Sequence, residues 1–123
     1  MRLWLTKRTR SMRYALSGVA HLVRTQPNAW IHLAATVAVL LLASYLRVSA
    51  AGWCWLIAAM AGVWMAEALN TAVELLADAT CPEHHPLIGR AKDVAAGGVL
   101  LAAAGAVGIG VLVFGPLLLP SLT

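Results

Sequence analysis

A chain of 123 residues has room for one domain, and 61% hydrophobic against 11% charged residues excludes a compact soluble one, since such domains carry roughly 25% charged side chains to keep their surfaces wet. The formal charge of +4 does not mark a nucleic-acid binder: six of the nine Lys and Arg residues precede the first long apolar run, and Arg90 and Lys92 stand between the second and the third. That asymmetry is the pattern of cytoplasmic loops in a multi-pass membrane protein, with anionic headgroups as the partner of the N-terminal cluster.

In chain order, residues 1–9 read as a basic, partly disordered start, and no cleavable signal peptide is expected because no short apolar core leads to a small-residue cleavage site. From about Thr9 to Thr25, Met12, Leu16, Val19 and Val23 share one helical stripe, with Arg13, Ser17, His21 and Arg24 elsewhere. This predicts an amphipathic helix lying on the inner membrane surface. Pro27 breaks it, and Asn28 is expected to cap the next helix. The first span is predicted from about Ala29 to Leu46, with Trp30 as an interfacial anchor. A short turn over Arg47 to Gly52 makes the next helix antiparallel. The second span is predicted from Trp53 to Ala79, and Cys81-Pro82, His84-His85-Pro86 and Gly89 predict a loop from Thr80 to Gly89. The third span is predicted from Arg90 to Phe114, closed by Gly115-Pro116. Three crossings put the N-terminus inside and the C-terminus outside. Cys54 and Cys81, near opposite ends of the second helix, are then roughly 40 Å apart, too far for a disulfide.

The third span carries small residues at Gly98, Ala102, Ala106 and Gly110, a ridge that lets helices approach closely in lipid or is simply an Ala/Gly-rich membrane helix. Three helices hardly enclose a polar site unaided, which favours an oligomer.

The chemistry is concentrated. All five carboxylates, Glu67, Glu74, Asp78, Glu83 and Asp93, fall within 27 residues. On a helix, Glu67, Asn70, Glu74 and Asp78 lie at about 0°, 300°, 340° and 20°, one stripe roughly 80° wide. Charged groups at the edge of hydrocarbon face protein or water and read as functional. Lys92 and Asp93 open the third span at the same depth. Carboxylates, an amide and a lysine suit a divalent cation with phosphates, magnesium taking one or two carboxylates and a lysine neutralising a transferring phosphoryl group. A carboxylate near a lipid hydroxyl can act as base. His32 is either a packed histidine or a headgroup contact, and His84-His85 reads as a solvated loop pair. Neither a Walker loop nor GxGxxG is present. The residues alone leave two readings open, phosphate chemistry at the interface or ion handling by the same acids.

Glu67-Ala68-Leu69-Asn70-Thr71-Ala72-Val73-Glu74, then Asp78, then Gly89-Arg90-Ala91-Lys92-Asp93, closely resembles the signature of the prokaryotic diacylglycerol kinase family, which includes undecaprenol kinases. Arg13-Tyr14-Ala15, Gly18 and the Asn28…Ile31-His32 stretch resemble it too, so the match runs from about residue 12 to 112. The resemblance implies an all-α membrane protein: a surface helix and three transmembrane helices in a trimeric bundle of the bacterial inner membrane. It implies ATP-dependent phosphorylation of a lipid alcohol, undecaprenol or diacylglycerol, at the cytoplasmic interface with Mg2+. By position, Glu67 corresponds to the general base and, with His32, to the lipid-substrate site. Asn70 corresponds to a residue orienting substrate and nucleotide, and Glu74 to a magnesium ligand. Lys92 corresponds to the contact of the transferring phosphate, with Asp93 beside it. Glu83 and His85 match nucleotide-touching loop positions, and Gly18 and Gly89 match close-approach glycines. Gln26 stands where the family usually has a second metal-binding glutamate, bringing an amide oxygen without its charge. The Asn28…His32 stretch looks more like the undecaprenol branch.

Two other functions fit parts of this pattern. A small ion- or proton-coupled carrier would use Glu67 as an intramembrane carboxylate but has no need of the Lys92-Asp93 pair. A catalytically silent family member acting as an assembly partner is compatible with Gln26.

Overall fold

The structure, a computed structural model, describes residues 2–119 and the side chains from residue 8 onward; the basic side chains of Arg2 and Lys7 therefore lie outside it. Among the described residues every regular element is a helix: α1 (Arg2–Thr25), α2 (Pro27–Tyr45), α3 (Ala50–Thr80) and α4 (Pro86–Leu118). The last three are long and apolar enough to cross a membrane.

The expected disordered start is helical from Arg2. No Gly or Pro interrupts the chain before Gly18, so nothing local stops the helix. Only Gln26 separates α1 from α2. It is the N-cap of α2, extended at φ −99° and ψ 116°, and Pro27 is the first helical residue. Asn28 is therefore not the cap. Proline pushes the residue before it into extended backbone and is itself preset for the first helical position.

α2 closes on a left-handed turn. Arg47 has φ 52°, the Val48 N–H donates to the Ala43 carbonyl at 3.0 Å, and the Arg47 N–H donates to Ser44 at 3.3 Å. This is the Schellman arrangement with arginine where glycine is usual. Buried Ala43 and Val48 supply its apolar contact. α3 starts earlier than Trp53 because Ser49 caps it, its Oγ accepting from the Gly52 N–H at 3.2 Å.

The expected ten-residue loop shrinks to residues 81–85, since Pro86 begins α4 instead of breaking the chain. Gly89 is helical, its N–H donating to the His85 carbonyl at 3.0 Å. At the far end Gly115-Pro116 does not close the helix; Pro116 lies inside it and α4 reaches Leu118. So near a terminus the missing N–H forfeits little of the ladder.

α3 and α4 pack most extensively, α2 joins α3 more lightly, and α1 touches both α2 and α3. An apolar cluster of Ala43, Val48, Leu56 and Phe114 closes the end that carries the α2–α3 turn. Elsewhere large apolar side chains such as Leu101, Val107 and Leu112 stand exposed. At roughly 25 cal/mol per Å2 such a surface requires lipid or another apolar partner over it. Cys54 and Cys81 are both free, as their placement predicts.

Candidate functional site

Among the described residues, the largest fully buried side chain is a carboxyl. Glu67 is 1% exposed, and Asn70 and Thr71 beside it are also buried. Glu67 and Asn70 face residues of α2 and α4, in the half of α3 away from the apolar cluster. α2 has 19 residues, about 28 Å of helix, close to the hydrocarbon thickness of a bilayer. His32, the α2 residue nearest the Glu67 carboxyl, lies in its second turn, so Glu67 sits near one edge of the apolar layer. The polar end of α3 runs on beyond it.

The stripe resolves into three pairs along α3. His32 Nε2 is 3.6 Å from Glu67 Oε2, beyond hydrogen-bond length. Asn70 Nδ2 donates to Glu74 Oε1 at 3.1 Å. Lys92 Nζ donates to Asp78 Oδ1 at 3.0 Å, with the lysine 38% and the aspartate 70% exposed. Glu67 and Asp78 are roughly 16 Å apart along the helix axis, so the site is elongated. Among the described residues, five buried side-chain polar atoms have no hydrogen-bond partner: His32 Nε2, both Glu67 oxygens, Asn70 Oδ1 and Thr71 Oγ1. Unmade bonds cost roughly 1–3 kcal/mol each, so such a cluster is suited to a polar ligand.

There is room for one. A cavity of about 270 Å3 is lined by Asn28, His32, Glu67, Asn70, Ala96 and neighbours. It shares Ile31, His32 and Ala103 with an apolar groove of about 710 Å3 that runs between α2 and α4 over Met60 and Val63 to Phe114. Lys92 lies one helical turn before Ala96, which lines the cavity, and its side chain rests on Asp78.

The remaining expected residues are placed less centrally. Gln26 is half-buried and its side chain makes no capping hydrogen bond. Glu83 and Asp93 are exposed. His85 caps α4, its Nδ1 accepting from the Leu87 N–H at 3.3 Å. A Cβ added at Gly18 or Gly89 meets nothing within 4 Å, so within one chain neither glycine makes a close approach. Three residues were not singled out from sequence. Thr71 had a usable signal, four residues after Glu67 on the same face. Trp64 and Thr36, bonded across α3 and α2 at 3.0 Å, had none, because pairing between helices leaves no trace in spacing.

No group of three or more His, Cys, Asp or Glu able to hold a metal ion occurs among the described residues. A closed protein cage is thus absent, but magnesium bound through one or two carboxylates and ligand phosphates does not require one. Glu74, whose carboxylate the Asn70 amide orients, and the uncapped Gln26 amide are oxygen donors of the right type.

A carboxyl buried inside apolar helices, beside a cavity that adjoins an apolar groove, is an arrangement that suits chemistry on a membrane-borne molecule. Residues 13–114 match the family described as prokaryotic diacylglycerol kinase, and the chain belongs to that family. Membership fixes its class as a lipid kinase, a phosphotransferase with an alcohol acceptor. The chain is 36% identical over 107 residues to the undecaprenol kinase of Bacillus subtilis (strain 168), covering 87% of each. To the diacylglycerol kinase of Synechocystis sp. it is 44% identical over 113 residues, 91% of this chain and 62% of that protein. It is 42% identical over 81 residues to the diacylglycerol kinase of Escherichia coli (strain K12), 60% of this chain and 66% of the other.

Proposed function

We propose that the chain is an ATP- and magnesium-dependent kinase of undecaprenol or diacylglycerol, acting at the cytoplasmic face of the bacterial inner membrane as a homotrimer. The observation that carries this reading is the buried Glu67, with both oxygens unpartnered, beside a cavity that adjoins a groove fit for a lipid chain. Arg24, Arg90 and Lys92 all lie toward the polar end, which supports a cytoplasmic placement of that end and of the N-terminus. The exposed Met12, Leu16 and Val19 of α1 support its lying on the membrane surface, and the exposed Leu69 and Leu76 of α3 support subunit contacts.

In this reading Glu67 takes the proton of the lipid hydroxyl, and the hydroxyl oxygen bonds to the γ-phosphorus as the bond to the β-phosphate oxygen breaks, releasing ADP. Asn70 orients hydroxyl and phosphate, while Lys92, released from Asp78, meets the charge on the transferring group. Glu83, His85, Asp93 and the open faces of Gly18 and Gly89 receive the nucleotide. Glu74 and Gln26 would hold magnesium, which would supply charge neutralisation on the phosphates.

The test is transfer of label from γ-labelled ATP with magnesium to lipid, using the chain in vesicles containing undecaprenol, diacylglycerol or a sphingoid base. Labelled undecaprenol or diacylglycerol is expected; no labelled lipid in any vesicle rejects the reading. Gln26 favours one alternative, a silent member that binds ATP and assembles without turnover, and that result would identify it.

A further inference from the structure

Thr36 and Trp64 join α2 to α3 by a hydrogen bond that no part of the reaction above uses. Trp64 Nε1 donates to Thr36 Oγ1 at 3.0 Å, and both residues are half-buried. The indole in turn bears edge-on against the imidazole of His32, with ring centres 6.3 Å apart and planes at 66°. Such an edge-to-face contact restricts ring orientation. The third link is His32 Nε2, unpartnered and 3.6 Å from Glu67 Oε2.

That gap has a use. Both atoms are covered in the free chain, so an oxygen about 2.8 Å from each, bridging them with two ordinary hydrogen bonds, enters from the cavity the two residues line as their side chains part. A hydroxyl suits the place, because it accepts from an imidazole N–H while donating to a carboxylate. A ketone or ether has no proton for Glu67.

We propose that Thr36 and Trp64 are positioning residues that set the His32 ring across from Glu67, so that His32 Nε2 and Glu67 Oε2 hold the acceptor hydroxyl between them. The proposal rests on the lipid-kinase reading and deepens it. His32 and Glu67 touch the hydroxyl; Thr36 and Trp64 act only through His32. Because the clamp spans two helices, it also ties the geometry of the hydroxyl site to the packing of α2 on α3.

The test compares two substitutions of one residue in the full chain in lipid. Thr36→Val keeps the shape and removes the hydroxyl; Thr36→Ser keeps the hydroxyl and removes a methyl. The clamp requires kcat to fall tenfold or more in Thr36→Val with KM for ATP unchanged, while Thr36→Ser retains most turnover. Trp64→Phe, which loses the donor together with part of the ring system, is expected to fall at least as far as Thr36→Val, and adding Thr36→Val to it to cause no further loss. The imidazole nitrogen resonances of His32 report the ring directly, moving in Thr36→Val and staying in Thr36→Ser. Normal turnover in Thr36→Val, or equal loss in both variants, overturns the proposal in favour of packing. If the wild-type chain phosphorylates no lipid, the kinase reading fails separately. The His32 resonances then decide the clamp: movement in Thr36→Val alone supports it and no movement overturns it.

Discussion

Lys92 Nζ rests on Asp78 Oδ1 at 3.0 Å, tying the first turns of α4 to the last turns of α3, one helical turn short of the cavity that holds Glu67. Asp78 is well exposed and Lys92 partly so, and solvent-screened pairs of this kind contribute about 0–1 kcal/mol. The bond therefore contributes little to holding the fold, and under the proposed function it leaves the lysine free to meet the phosphate.

It follows that Lys92→Met separates stability from activity. Thermal or denaturant unfolding in detergent is expected to shift by less than about 1 kcal/mol. Turnover is expected to drop roughly 100- to 1000-fold, the scale seen when a donor to developing charge is removed. A loss of stability as large as the loss of turnover would mark Lys92 as structural.

Of the glycines in the described helices, Gly52 has the tightest surroundings. A Cβ built there lies 2.5 Å from Val48 Cγ1 and 3.4 Å from Val113 Cγ1. Val48 is buried and β-branched, so it yields only by moving the turn. Gly52→Ala is expected to destabilise by about 1–3 kcal/mol while the polar end of the bundle keeps its nucleotide affinity. An equilibrium unfolding curve checks the first part and an ATP-binding isotherm the second.

The order of the helices was legible because apolar runs state it directly: three long apolar helices and the short turns between them stand where the hydropathy put them. The acid stripe was legible for the same reason, since helical spacing alone aligns Glu67, Asn70, Glu74 and Asp78. The edges were not. Pro27 and Pro86 were read as breakers, whereas each begins a helix, and Asn28 was read as a cap because its side chain favours that role. Nor was the division of labour along the stripe visible. That Glu67 is buried while Asp78 is exposed depends on how deep α2 and α4 cover α3, which one helix's periodicity does not encode.

Gln26 brings an oxygen but no charge to the polar end. Glutamate there adds a negative ligand and also suits the start of α2 electrostatically. Gln26→Glu is therefore expected to lower the magnesium concentration for half-maximal turnover roughly tenfold. Titration of label transfer against magnesium measures this, and an unchanged midpoint would remove Gln26 from the metal site.

The most direct measurement is label transfer from ATP to lipid by Glu67→Gln beside the wild-type chain, with ATP binding measured on both. The side chain keeps its size and loses its charge, so the fold is expected to hold, with stability equal or slightly raised. Turnover is expected to fall at least about 1000-fold with ATP affinity unchanged. A glutamine variant that phosphorylates lipid at close to the wild-type rate would contradict the assignment of the buried carboxyl as the group that takes the hydroxyl proton.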